Sequence, residues 1–189
     1  GNDPNETKDV LLWDRNSRQT ELISVRSDGR ASGNGLSELP VLNGDGSVVA
    51  FASDAGDLVA RDGNEVRDVF VRDRSRRVTE RMSVNSKGVE ASDWSDAPAL
   101  SADGRIVAFH SVAWNLVDGD DNEKWDIFIR DRSAGRTELL GGAGVGDDDS
   151  LYPLLSGDGN WVVFSSAAAA FTGGPANGKL LLIVHDRVG

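Results

Sequence analysis

Pro98 to Ser111 reads PALSADGRIVAFHS, and after an acidic loop Asp126 to Arg132 reads DIFIRDR. Asp103-Gly104 between two apolar runs predicts a tight turn, because glycine accepts the positive φ that such turns require. The same plan starts at Pro40 (PVLNGDGSVVAFAS, then DVFVRDR) and at Pro153 (PLLSGDGNWVVFSS, then LLIVHDR). The prolines stand 58 and 55 residues apart, and Asp14, Asp73, Asp131 and Asp186, each followed by Arg, stand 59, 58 and 55 apart. A fixed period of this length indicates a repeat architecture.

Each full period predicts four strands: a short one beginning near the proline, an apolar one after the Asp-Gly turn, one ending in Asp-Arg, and its partner. Two strands, Asp9–Asp14 and Thr20–Val25, precede the first full set, and three close the chain, so the expected count is two, four, four and three. No helical period is sustained, and the Ala167–Ala170 run is too short to form one. Runs such as VVAFA, RIVAF, WVVF, VFV and IFI are apolar almost throughout, which calls for cover on both faces. A two-layer sandwich would instead favour alternation. Small four-stranded sheets stacked around an axis bury both faces of their middle strands, as propeller blades do.

The 189 residues are read as a polar leader, 1–8, followed by repeats over 9–189, in units around 9–67, 68–125 and 126–189. The expected fold is all-β: about three four-stranded blades of about 58 residues. They belong to a six- to eight-bladed ring or to a ring completed by a dimer, since closed propellers hold about four to eight blades. No apolar run reaches the roughly 18–20 residues of a membrane span. A net charge of −11 argues against a nucleic-acid partner, which needs clustered Lys and Arg. The absence of cysteine excludes disulfides and thiolate chemistry.

The repeated residues resemble the TolB-type, WD-like β-propeller repeat, whose pattern is a Pro, a Ser-x-Asp-Gly turn, an Ile-Ala-Phe-x-Ser strand and an Asp-Ile-Phe-Val-x-Asp strand. Pro98, Ser101, Asp103, Gly104, Val107, Ala108, Phe109, Ser111, Asp126, Ile127, Phe128, Ile129 and Asp131 match it. Asn43 departs from it in the first unit, and Val163 and Leu181 depart in the third. The resemblance implies a binding platform of a secreted, periplasmic or cell-surface protein, or a gating domain attached to a hydrolase. It names no activity.

The expected role is therefore a non-catalytic binding or scaffolding module, taking a protein or glycan ligand through loops 53–67 and 111–125. The alternative is an accessory fragment of a hydrolase whose catalytic residues lie outside this chain. A propeller lyase acting on acidic glycans is a third reading, opposed by the negative charge and by only two histidines. Asp118, Asp120, Asn122 and Asp126 alternate along one loop and could direct hard oxygens to a Ca²⁺ ion, although Glu123 and Ile129 break the EF-hand pattern. A solvated acidic loop fits the same residues. The repeated Asp residues at strand ends are read as turn formers. Asp147-Asp148-Asp149 after the Gly141–Gly146 run reads as a connector. His110 and His185 stand alone, and Trp94, Trp114 and Trp125 fall in connectors, where they could bind a ligand or pack over a blade edge.

Overall fold

A computed structural model describes residues 6–142, 147–174 and 178–188. Thirteen strands lie among them in four antiparallel sheets. The first sheet is a hairpin of β1 (Leu11–Asp14) and β2 (Gln19–Leu22). Two full blades follow: β3 (Ser37–Leu42), β4 (Val48–Ser53), β5 (Asp68–Asp73) and β6 (Val78–Arg81), then β7 (Ser95–Leu100), β8 (Ile106–Ser111), β9 (Asp126–Asp131) and β10 (Arg136–Leu139). A three-stranded sheet of β11 (Ser150–Leu155), β12 (Trp161–Ser166) and β13 (Leu181–Asp186) ends the series. The expected all-β blades and the two, four, four, three strand count are both present. The points 67/68 and 125/126 fall between the second and third strands of a blade. One helical turn, α1 (Ala169–Thr172), lies where no helix was expected. Its Phe171 packs edge-on against Phe164 at 5.0 Å, so tertiary contact stabilises a run too short to hold by propensity.

The middle strands show why the sheets stack. Phe51 faces Phe70 across β4 and β5, and Phe109 faces Phe128 across β8 and β9. These pairs stack at 5.9 and 5.8 Å, and with Phe164 all five rings are fully buried. Alternate residues on the same strands point the other way. Ala50, Val69 and Val71 join Phe109 and Phe128 of the following blade in one cluster, and Ala108, Ile127 and Ile129 join Phe164 of the blade after that. Each blade thus offers phenylalanines to the blade before it and branched aliphatics to the blade after.

Polar groups set the spacing at the turns. Gly46, Gly104 and Gly159 take φ of 71°, 70° and 74°, closing each Asp-Gly turn. Ser101 Oγ accepts the Ile106 amide at 2.9 Å, and Asn43 Oδ1 accepts the Val48 amide at 2.9 Å, so the first unit's departure keeps the bond. The turns also touch: Gly44 N–H donates to Ala102 C=O, and Ala102 N–H to Gly157 C=O, at 2.9 and 2.8 Å. Three of the arginines that follow a strand-ending Asp clip blade to blade. Arg74 reaches Gly46 C=O and Glu21, Arg132 reaches Gly104 C=O and Glu80, and Arg187 reaches Gly159 C=O and Glu138, at 2.6–3.0 Å. Each glutamate lies on the last strand of the preceding sheet.

A bulge recurs in every innermost strand. The register slips between Glu38 and Val41, Asp96 and Ala99, and Leu151 and Leu154. The residue before each proline (Leu39, Ala97 and Tyr152) holds φ of 54°, 47° and 56°, a conformation rare outside glycine. Proline has no N–H to give a ladder, so the bulge is where it does least harm.

Phe109→Ala is expected to remove about 3–5 kcal/mol of stability in urea unfolding, from lost transfer energy and the cavity left between blades. Trp114→Ala, in an exposed loop position, should change it by less than about 0.5 kcal/mol. Equal effects from the two variants would contradict this account of the core.

Candidate functional site

The loops from second to third strand and the crossings between sheets gather at one end of the blades. Serine pairs tie the strand ends there: Ser37 with Ser53, Ser95 with Ser111, and Ser150 with Ser166, at 2.8–3.0 Å between hydroxyls. Each innermost strand is also bonded to the preceding sheet, with Ser37, Ser95 and Ser150 amides donating to the carbonyls of Lys8, Arg67 and Trp125. Loops 53–67 and 111–125 bury matching residues, Ala55 and Leu58 in one and Ala113 and Leu116 in the other. This end is a built surface on rigid strands.

Two inter-blade junctions at this end differ in chemistry. Arg67, with its side chain 5% exposed, lies 2.8 Å from Glu38, 3.2 Å from Asp54 and 3.2 Å from Asp96 of the next blade. The aligned position one blade on is Trp125, whose indole lies 4.7 Å from the buried His110 ring, with the Tyr152 ring 5.4 Å from the same ring. His110 Nδ1 accepts the Tyr152 amide at 3.2 Å, and burial lowers its pKa to about 4. A buried histidine held neutral against two aromatic rings serves packing.

The matching carboxylates Asp68 and Asp126 diverge in the same way. Asp68 accepts Ser83 Oγ at 2.5 Å and Asn64 Nδ2 at 3.0 Å, and Arg81 sits 3.3 Å from it, 3.3 Å from Asp62 and 2.5 Å from Glu90. Burial raises the Asp68 pKa to about 6, against the pull of Arg81. In the next blade Leu139 stands where Arg81 would be, and Gly141 where Ser83 would be. Asp126 keeps the Asn122 amide at 2.8 Å, and burial, aided by Asp120 and Asp149, raises its pKa to about 7.

Of the residues expected to direct oxygens to one cation, Asn122 and Asp126 meet, and Asp120 lies within electrostatic reach of Asp126. Asp118 lies elsewhere, exposed in a cleft of about 170 Å³ with Asn85, Lys87 and Thr137. Among the described residues, no group of three or more His, Asp or Glu side chains is placed to hold a metal ion. The strand-ending aspartates are turn formers: Asp14 accepts the amides of Asn16 and Ser17, Asp73 that of Arg76, Asp131 those of Ser133 and Ala134, and Asp186 that of Val188. In the Gly141–Gly146 run, residues 143–146 lie outside the described set, while Asp147 and Asp149 bond the Ala169 and Trp125 amides. His185 is half-buried with its ring 6.2 Å from Phe171. Trp94 and Trp114 stand out, 51% and 65% exposed, with Tyr152 at 64%. Sequence reasoning missed the Arg67 junction and the arginine clips, although Glu21, Glu80 and Glu138 recur 59 and 58 residues apart after a threonine.

No family model matches the chain. It is 32% identical over 112 residues to an uncharacterized protein of Saccharomyces cerevisiae, YJL107C, a match covering 59% of this chain and 26% of the yeast protein. Among solved structures it is similar to the tricorn protease, a propeller-type neighbour, at a TM-score of 0.54 and 12% identity, covering 87% of this chain and 14% of that one. It is also similar to a putative TolB from Agrobacterium tumefaciens, at a TM-score of 0.47 and 13% identity, covering 93% of this chain and 65% of that one. The chain spans less than two thirds of the length of each. The likeness to the tricorn protease, at 12% identity, speaks to the fold alone.

Asp126 has its pKa raised in the folded state, so its contribution to stability is full below about 3.8 and fades as pH rises through about 7. Asp126→Asn should therefore be more stable than the parent at pH 8, by about 1–3 kcal/mol, with the gap closing as pH falls to 4. Asp68→Asn should gain less at pH 8, because Arg81 offsets part of the burial cost of the Asp68 charge and holds its pKa to about 6. Denaturant midpoints across pH provide the measurement, and a gain for Asp68→Asn at pH 8 equal to or larger than that for Asp126→Asn would refute the contrast.

Proposed function

We propose that this chain is a non-catalytic binding module that takes a basic segment of a protein partner on the loop end of its blades. The observation that carries this reading is the set of exposed aromatics, Trp94, Trp114 and Tyr152, at an end that also carries exposed carboxylates. Trp94 is anchored through its carbonyl, which accepts both Ser111 Oγ and the Val112 amide, two residues before Trp114. Large, rigid aromatics supply contact area at little entropic cost and are enriched at interface centres. Asp54, Asp93, Asp121 and Glu123 are exposed in the loops and crossings of the same end, and the net charge is −11. Such a surface attracts Lys- and Arg-bearing partners and speeds their encounter at low salt. The repeat resemblance supports a secreted or envelope setting. Among the described residues, no helix is long and apolar enough to cross a membrane.

A second reading, an accessory part of a hydrolase, is favoured by the fold likeness to the tricorn protease, of which this chain spans 14%. On that reading too, the chain contributes a surface and the chemistry lies outside it.

A phage library of random twelve-residue peptides, selected against the chain, tests the first reading. Selected peptides are expected to be rich in Lys and Arg, and their affinity should fall at least tenfold with Trp94→Ala/Trp114→Ala, about 1.4 kcal/mol. Peptides indifferent to both tryptophans, or binding to an oligosaccharide array without any peptide selected, would overturn it.

A further inference from the structure

The two ends of the series carry complementary parts of one blade. Asp14 aligns with Asp73, so β1 and β2 hold the places of third and fourth strands. Among the described residues no strand pairs with the other edge of β1. An apolar groove of about 210 Å³ runs there instead, lined by Leu11, Trp13, Pro40, Leu42 and Val49 among others. At the far end, β11, β12 and β13 hold the places of first, second and third strands. Their outward face bears Leu154, Trp161, Leu182 and Val184, the last two 73% and 63% exposed. The aligned residues of the two full blades, Val69 and Val71 and then Ile127 and Ile129, are buried against the blade that follows.

We propose that a second copy of this chain covers both ends. β11 and β12 of one copy enter the groove beside β1 of the other, and β1 pairs with β12 in the place that β13 takes within a single copy. Three observations specify this occupant, and each continues a contact the fold already repeats. Leu42 and Val49 align with Leu100 and Val107, which pack on Val41 and Val48 of the blade before them. Leu154 and Trp161 align with Val41 and Val48, so the terminal sheet carries the missing half of that contact. The turn-to-turn bonds run from Gly44 to Ala102 and from Ala102 to Gly157. The next step would run from the Gly157 amide to the Gly44 carbonyl of the second copy. Arg15 aligns with Arg74, Arg132 and Arg187, yet it is exposed and makes no ion pair among the described residues. In the second copy's blade it would reach Glu138, which Arg187 now holds at 3.0 Å.

The strand complement agrees. With β13 displaced, each copy brings twelve of the thirteen strands among its described residues, and two copies make six sheets of four. Closed propellers hold about four to eight blades. β13 is also the least buried third strand, with four of six residues exposed, where β5 and β9 have four of six buried. It competes with a partner's β1 for the same edge, the arrangement of an exchanged element.

Light scattering on the 189-residue chain at several concentrations should show twice its 20.1 kDa, 40.2 kDa, at the higher ones. A mass of 20.1 kDa throughout would overturn the proposal and leave the ends to another protein or to blades outside these residues. Because the chain has no cysteine, Leu42→Cys and Leu154→Cys can be made singly and mixed under oxidation. A disulfide joining the two different variants is expected, and one forming only between like variants would refute the head-to-tail geometry. Removing residues 180–189 should lower the dimer dissociation constant at least tenfold, since it frees the β12 edge. A weaker dimer from a folded truncated chain would count against the exchange of β13 for β1.

Discussion

Strands that are apolar on both faces cannot be exposed on either, and this single constraint organises the molecule. A sheet built on VVAFAS or IVAFHS needs a neighbour in front and another behind. The chain meets that need by repetition, giving each blade aromatic residues on one face and branched aliphatics on the other. Ring meets branched chain at every junction, so one interface serves several times. Specificity between neighbours is left to polar groups at the rims, where the arginine clips set which edge meets which.

Repetition of the backbone has allowed the side chains at the loop end to diverge. Arg67 gathers three carboxylates at one junction, and Trp125 at the aligned place closes the next around a histidine. Arg81 neutralises Asp68 and Asp62, while Leu139 leaves Asp126 to Asn122. Leucine in that place gains apolar contact in the core cluster and gives up the counter-charge. Two blades with nearly the same trace therefore carry different electrostatics.

Most of the fold was legible because it rests on patterns of short range. Asp-Gly turns, strand periodicity and the spacing of Pro40, Pro98 and Pro153 all report local geometry or its repetition. The five buried phenylalanines all lie within the apolar runs VVAFA, RIVAF, WVVF, VFV and IFI, which a local pattern marks. The helical turn at Ala169–Thr172 escaped because Phe164, five residues before, stabilises Phe171 from another element. At the loop end, alternation of Asp118, Asp120, Asn122 and Asp126 is a local pattern too, but a loop is free to turn each side chain separately. Asp118 lines a cleft with Lys87 and Thr137. The Arg67 junction draws on Glu38, Asp54 and Asp96, partners scattered over 59 positions of sequence, and no short-range pattern marks such a set.

The bonds between sheets occur at both ends of the strands: Ser95 to Arg67 and Ser150 to Trp125 at the loop end, Gly44 to Ala102 and Ala102 to Gly157 at the turns. Held at one end only, the blades could open like the leaves of a fan. Held at both, neighbouring leaves cannot splay without breaking main-chain bonds, and rocking one blade must carry the next. Loops borne by different blades then keep a constant distance from one another. On the proposed binding role, a ligand touching Trp94, Trp114 and Tyr152 would meet a spacing fixed before contact, with little freedom left to lose.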